Sequence, residues 1–228
     1  MSYTLQEIVD ATRYRLNNFE KPYLWLDAEL AFYANDVINT ICRDARVLED
    51  STTAAVCNFS TVIDQIDYAL HSSIIYVKSV KLTDASSNLI LLDKFTNQQM
   101  EECYTSWRTQ DHAQPINYIL DYTTGYISLY AKPDAIYPIS LSVVRYPLVQ
   151  LTSTSMSSQT PEINSMWQEA IVDGMCFKAL QKRGDNTYDA NLSAVYYAQF
   201  RKAIADMKRI NNLYESNQAT ASPVGGFI

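Results

Sequence analysis

Several kinds of chemistry are missing from this chain. Of its 228 residues only five are glycine, and there is no GxGxxG, no P-loop and no GxSxG, so no loop for cradling phosphates and no nucleophile elbow is written in it. The two histidines, His71 and His112, have no partner at metal-ligand spacing. No HExxH or CxxC occurs, so neither a zinc hydrolase nor a zinc ribbon is indicated, and no metal or cofactor is expected. The four cysteines, Cys42, Cys57, Cys103 and Cys176, are scattered and read as free, mostly buried thiols of a reducing compartment. No basic segment followed by an apolar core opens the chain, so no signal peptide is expected. No run of about 18 apolar residues occurs, so no membrane span is expected either.

Hydrophobic residues make up 47% of the chain, enough for a real core, and tyrosine is conspicuous at 17 residues. A tyrosine ring buries apolar area while its hydroxyl tolerates water, which suits protein–protein contacts. It equally suits antiparallel sheets. The net charge of −7 argues against a surface that clamps nucleic acid through phosphate contacts, which takes clustered Lys and Arg.

The hydrophobic pattern changes period twice. Thr4-Leu5-Gln6-Glu7 is a capping-box sequence that opens a first helix, with Leu5, Ile8, Val9, Thr12 and Leu16 on its inner stripe. A second helix is expected over 27–48, with Asp27 as N-cap. From 51 the pattern becomes that of strands, at 55–59, 74–82, 89–92, 116–121, 126–130 and 139–146, with a brief helix at 96–103. Residues 150–160 are a Ser/Thr-rich connector. A long amphipathic helix is expected over 161–181 with Pro161 in its first turn; Gly174 inside it points to another helix in close approach. Arg183-Gly184-Asp185-Asn186 breaks the pattern. A last helix follows over 189–214, with Leu192, Val195, Tyr196, Gln199, Ala203, Met207, Ile210 and Tyr214 inward.

The expected fold is α+β: a helical bundle of two N-terminal and two long C-terminal helices, an inserted antiparallel β unit and an extended C-terminal arm. The boundaries fall at 1–50, 51–149, 150–215 and 216–228. Two features exceed what a plain core requires. The outer face of the last helix carries Arg201, Lys202, Lys208 and Arg209, suited to an acidic partner surface. The tail ends in Pro223-Val224-Gly225-Gly226-Phe227-Ile228, an apolar plug after a polar spacer, of the kind that orders in a groove or on a sheet edge.

The order of motifs resembles the head-to-tail adaptor (connector) proteins of tailed bacteriophages. Three stretches carry the resemblance. The first is Leu24-Trp25-Leu26-Asp27-Ala28-Glu29-Leu30 with Tyr33-Ala34-Asn35-Asp36-Val37-Ile38-Asn39 and Cys42-Arg43-Asp44-Ala45-Arg46. The second is 96–104 with Trp107-Arg108 and Pro115-Ile116-Asn117-Tyr118. The third is Pro161-Glu162-Ile163, Trp167-Gln168-Glu169-Ala170-Ile171-Val172-Asp173 and Asp185-Asn186-Thr187-Tyr188-Asp189. Leu26 departs from the pattern, standing where a Ser or Thr N-cap is expected.

The resemblance implies a structural, non-enzymatic virion protein made in the bacterial cytoplasm and placed at the head–tail junction. It implies a homo-oligomeric ring of 12 copies, a helical layer against the portal protein and a β layer toward the tail or nozzle protein. DNA would pass through the lumen without sequence-specific binding. The resemblance also implies a C-terminal arm that reaches the portal or a neighbouring subunit. From the basic face of the last helix and the apolar tail themselves, the portal-facing residues are expected to be Arg201, Lys202, Arg209, Pro223, Phe227 and Ile228. Two rivals stand beside it: a tail-associated cell-wall hydrolase with Glu101 or Glu102 as acid, and a monomeric binding module whose β unit takes a ligand.

Overall fold

The computed structural model describes residues 2–219 apart from 105, 110, 111 and 185, with side chains described as far as residue 213. The chain is α+β and divides into two compact units, Met1–Leu48 with Tyr146–Ile228, and Glu49–Arg145.

The first unit is helical and built around α5 (Gln168–Ala179), against which α1 (Leu5–Arg15), α2 (Asp27–Ala45) and α6 (Ala190–Ala219) all pack. The sequence predicts a one-sided helix here. Instead α5 is buried on most of its surface, through Gln168, Ala170, Ile171, Val172, Gly174, Met175, Cys176 and Ala179. Its start is also later than expected. Pro161 lies outside it, and the Asn164 side chain accepts the Met166 N–H at 3.1 Å to begin a single 3-10 turn, Ser165–Trp167, that leads into the helix.

At α1 the capping box forms as read: Thr4 Oγ1 accepts the Glu7 N–H and Glu7 accepts the Thr4 N–H. The remaining orphan donors at this end go to the Ser/Thr-rich connector, Leu5 N–H to Gln159 O at 2.8 Å and Gln6 N–H to Met156 O at 3.0 Å. For α2, Asp27 is the first helical residue rather than the N-cap. Leu26 occupies the cap position with no side-chain bond, and Asp27 pairs with the buried Arg13 at 2.5 Å. The helix stops at Ala45, short of 48, because Arg46 turns left-handed at φ 55, a helix-ending conformation.

The second unit stacks two sheets and a short helix. One sheet has the order β1 (Glu49–Asp50), β9 (Pro138–Arg145), β4 (Ile74–Thr83), β5 (Leu89–Leu91), with β2 (Asn58–Ser60) also paired to β9. The other runs β3 (Asp67–Ala69), β8 (Tyr126–Tyr130), β7 (Asn117–Ile119), β6 (Asp93–Phe95). Val77, Val80, Leu82, Ile139, Leu141 and Val143 of the first sheet share one core with Tyr68, Tyr118, Ile127 and Leu129 of the second. The second sheet's other face, through Ile119 and Tyr130, packs on Met100 of α4 (Asn97–Cys103) and on Trp107.

Two expectations are corrected in this unit. The pairing is antiparallel except between β6 and β7, which run parallel. Of the residues expected as a strand at 55–59, the first three belong to a one-turn helix, α3 (Ala54–Cys57), and only Asn58 and Phe59 to a strand, β2. Asp50 explains the turn: its carboxylate takes the N–H groups of Thr52 and Thr53 at 2.9 and 3.0 Å while pairing with Arg145 at 2.6 Å, both side chains buried.

Candidate partner interface

A 30-residue helix, α6 is the longest element of the chain. Its inward residues are Ser193, Phe200, Ile204 and Met207. The expected phase holds only in part: Met207 is buried and Tyr196, Ala203 and Ile210 are half-buried. Leu192 and Val195, predicted inward, are 38% and 51% exposed, and Gln199 is exposed too.

The consequence is an outward stripe at alternating three- and four-residue spacing: Tyr188 just before the helix, then Leu192, Val195, Gln199, Lys202, Asp206, Arg209 and Leu213. Residues so spaced share one helix face. The stripe is apolar over its first half and charged over its second. All of its members are exposed except Asp206, which is partly buried.

The basic residues sit on the outer face, but not as a uniform positive field. Arg201 pairs with Asp44 of α2 at 3.2 Å, and Arg209 with Asp206 at 3.4 Å one turn back. Lys202 and Lys208 have no acidic partner among the described residues. Pro223, Phe227 and Ile228 lie outside the described residues. Of the arm expected from 216, residues 216–219 belong to α6 and the remainder lies outside the described residues.

Two anchors hold α6. Ser193 Oγ donates to Phe177 O at 3.2 Å. Asn211 Nδ2 donates to Ala45 O at 2.9 Å and Arg46 O at 3.3 Å, satisfying carbonyls left over at the end of α2. Beside the first anchor an open cleft of about 770 Å³ lies between α5 and α6, lined by Phe177, Gln181, Arg183, Tyr188, Ala194 and Tyr197 among others.

The far side of α5 is tied by ions. Lys178 pairs with Asp36, Lys182 with Glu29 at 2.8 Å, and Arg15 bridges Glu169 at 2.8 Å and Asp173. Burial and the hydrogen bond to Glu29 push the Tyr33 hydroxyl up to about 12. Trp25, the anchor of the connector before α2, donates its indole N–H to Ala179 O at 2.9 Å.

In the β unit the candidate acids serve local structure. Glu101 accepts the Trp107 indole N–H at 2.9 Å, and Glu102 accepts from Gln98 at 2.9 Å. His71 bonds the Ser73 hydroxyl at 2.8 Å, and His112 pairs with Asp64 at 2.5 Å. Among the described residues no three His, Cys, Asp or Glu side chains gather as a metal site, and no helix is long and apolar enough to cross a membrane.

The family model described as "SU10 adaptor protein" matches residues 3–224. No curated protein matches the chain. The match spans both compact units, so the chain belongs to the SU10 adaptor protein family.

Proposed function

We propose that this member of the SU10 adaptor family is the head-to-tail adaptor of a tailed bacteriophage, a structural virion protein that joins the portal to the tail. The observation that carries the reading is the family match across both units. Copies of the chain form a ring, taken as 12, at the head–tail junction. The helical unit meets the portal protein and the β unit meets the tail or nozzle protein. The stripe on α6 supplies the portal contact, with Leu192 and Val195 as its apolar part and Lys202 and Arg209 as its charged part, and Arg201 adds to it from beside the stripe. Pro223, Phe227 and Ile228 belong to the same proposed contact.

The ring lumen forms part of the DNA channel. The net charge of −7 supports passage without binding, because acidic walls repel a phosphate backbone. The role is mechanical and non-enzymatic. Glu101 and Glu102, the acids a hydrolase reading would use, are each engaged in structural hydrogen bonds.

The test is electron microscopy of the protein mixed with the purified portal of its own virus. The expected result is a ring of density added to one end of the portal. Absence of added density at every ratio tested overturns the reading.

A further inference from the structure

The β1-β9-β4-β5 sheet has two open edges of matching geometry. At one edge β5 pairs, among the described residues, with β4 alone. Leu92 N–H donates to Val80 O, and Asp84 N–H to Asn88 O, both at 3.0 Å. Residues 88, 90 and 92 therefore turn their backbone groups toward β4. By the alternation of an antiparallel ladder, those of Leu89 and Leu91 face away from it.

At the opposite edge β2 pairs, among the described residues, with β9 alone. Thr61 N–H donates to Tyr137 O at 2.9 Å, which turns Phe59 inward to β9 and Asn58 and Ser60 outward. The Asn58 N–H is already used by Ala54 O, leaving the Asn58 carbonyl and both Ser60 groups open. Beyond Ser60 the edge closes, since the Tyr68 hydroxyl bonds both backbone groups of Val62.

One row of partners crosses the whole sheet, Asn58–Ser140–Lys81–Leu91. The two open edges thus lie level with each other, three strand spacings or about 14 Å apart. β2, β9, β4 and β5 alternate in direction, so β5 of one copy beside β2 of the next is again antiparallel. In that register Leu91 stands opposite Asn58 and Leu89 opposite Ser60.

The side chains agree with the backbone. Leu89 and Leu91, 66% and 61% exposed, carry no charge or proline that would guard the edge. On the core face, Ile90 and Phe59 are the half-buried margins of the same hydrophobic cluster. Pairing sets them side by side and carries that core across the junction. An aromatic ring beside a β-branched residue is a favoured cross-strand pair.

We infer that β5 of one copy pairs with β2 of a second copy, a head-to-tail contact that extends this sheet from subunit to subunit. The contact joins two different surfaces, so it propagates into a closed ring or a helix and not into a two-fold dimer. The inference rests on the self-assembling adaptor reading and names the surface that assembly uses.

The test is crosslinking with a short bis-maleimide on the virus's own purified portal, in a background where the exposed Cys103 is replaced (Cys103→Ser). Two versions of the chain of different mass, one Leu91→Cys and the other Asn58→Cys, are mixed. The expected product is the 58–91 heterodimer, exceeding both homodimers at least tenfold. A predominant 91–91 product means two-fold pairing of β5 and overturns the inference. A ring on the portal by microscopy without the 58–91 product overturns it while leaving the adaptor reading intact. Neither ring nor crosslink overturns both.

Discussion

A β-carbon built on Gly174 falls 2.6 Å from Val37 Cγ1, closer than side chains approach one another, and 3.2 Å from Phe200. The central helix can therefore touch both α2 and α6 at one level only because that position has no side chain.

Gly174→Ala is expected to destabilise the helical unit by about 1–3 kcal/mol, the usual cost of overpacking, although alanine is worth about 1 kcal/mol more than glycine in a free helix. Chemical denaturation measures it. Val37→Ala alone leaves a cavity, but combined with Gly174→Ala it should recover part of the loss. A stabilising Gly174→Ala would refute the close approach.

In the β unit, Asp50→Ala removes the buried carboxylate that pairs with Arg145 and accepts the Thr52 and Thr53 N–H groups, and breaking a buried pair from one side is expected to cost about 3–5 kcal/mol. Burial pushes the Asp50 carboxyl up, but hydrogen bonds from the Thr53 side chain, from the Thr52 and Thr53 N–H groups and from Arg145 outweigh it and hold the group well below the usual carboxylate range. A depressed pKa contributes stability that is fully present above the unfolded value, near 4, and is lost as pH falls through the folded value. Wild-type stability should accordingly fall more steeply than that of Asp50→Asn below about pH 4, as read by urea titrations at several pH values.

Cys103 is exposed while Cys42, Cys57 and Cys176 are buried, and burial pushes the Cys176 thiol up to about 12. A thiol reagent at pH 8 should label Cys103 quickly and the other three only on unfolding. Peptide mass mapping after a short pulse checks this, and fast labelling of Cys176 would contradict the packing around α5.

On the outer stripe of α6, Leu192→Lys with Val195→Lys should leave stability within about 0.5 kcal/mol, as exposed positions do, and abolish the added ring on the portal. Lys202→Glu with Arg209→Glu should weaken the same association in a salt-dependent way, since exposed charges act over about 8 Å at physiological ionic strength. Binding titrations at two salt concentrations separate the two effects. Equal binding by all variants would remove α6 from the interface.

Local signals were legible and non-local ones were not. The capping box of Thr4 with Glu7 forms as its four-residue sequence states, because every atom involved is nearby in the chain; the brief helix expected at 96–103 opens on a second box, Thr96 with Gln99. The parallel pairing of β6 with β7 joins residues some two dozen positions apart, and three-residue strands carry no periodicity to announce it. α3 escaped because Ala54-Ala55-Val56-Cys57 reads equally as strand or helix; Asp50 decides it from outside the segment. On α6 two phases compete. Ser193 is polar yet faces in and bonds Phe177 O, while Leu192 is apolar yet faces out, so a pattern that sorts by polarity lands one residue off. That same ambiguity hid the apolar part of the outer stripe, whereas its basic residues Lys202 and Arg209, with Arg201 beside them, were plain in the sequence.

Hydrogen bonds fix α6 at Ser193 and Asn211, about 27 Å apart at 1.5 Å per residue, with the Arg201–Asp44 pair between them. The helix is thus a beam clamped along its length, and a load on that span is shared by α5 and α2. Past Asn211 it runs on to Ala219 as an overhang, so a pull applied there would bear first on the end of α2.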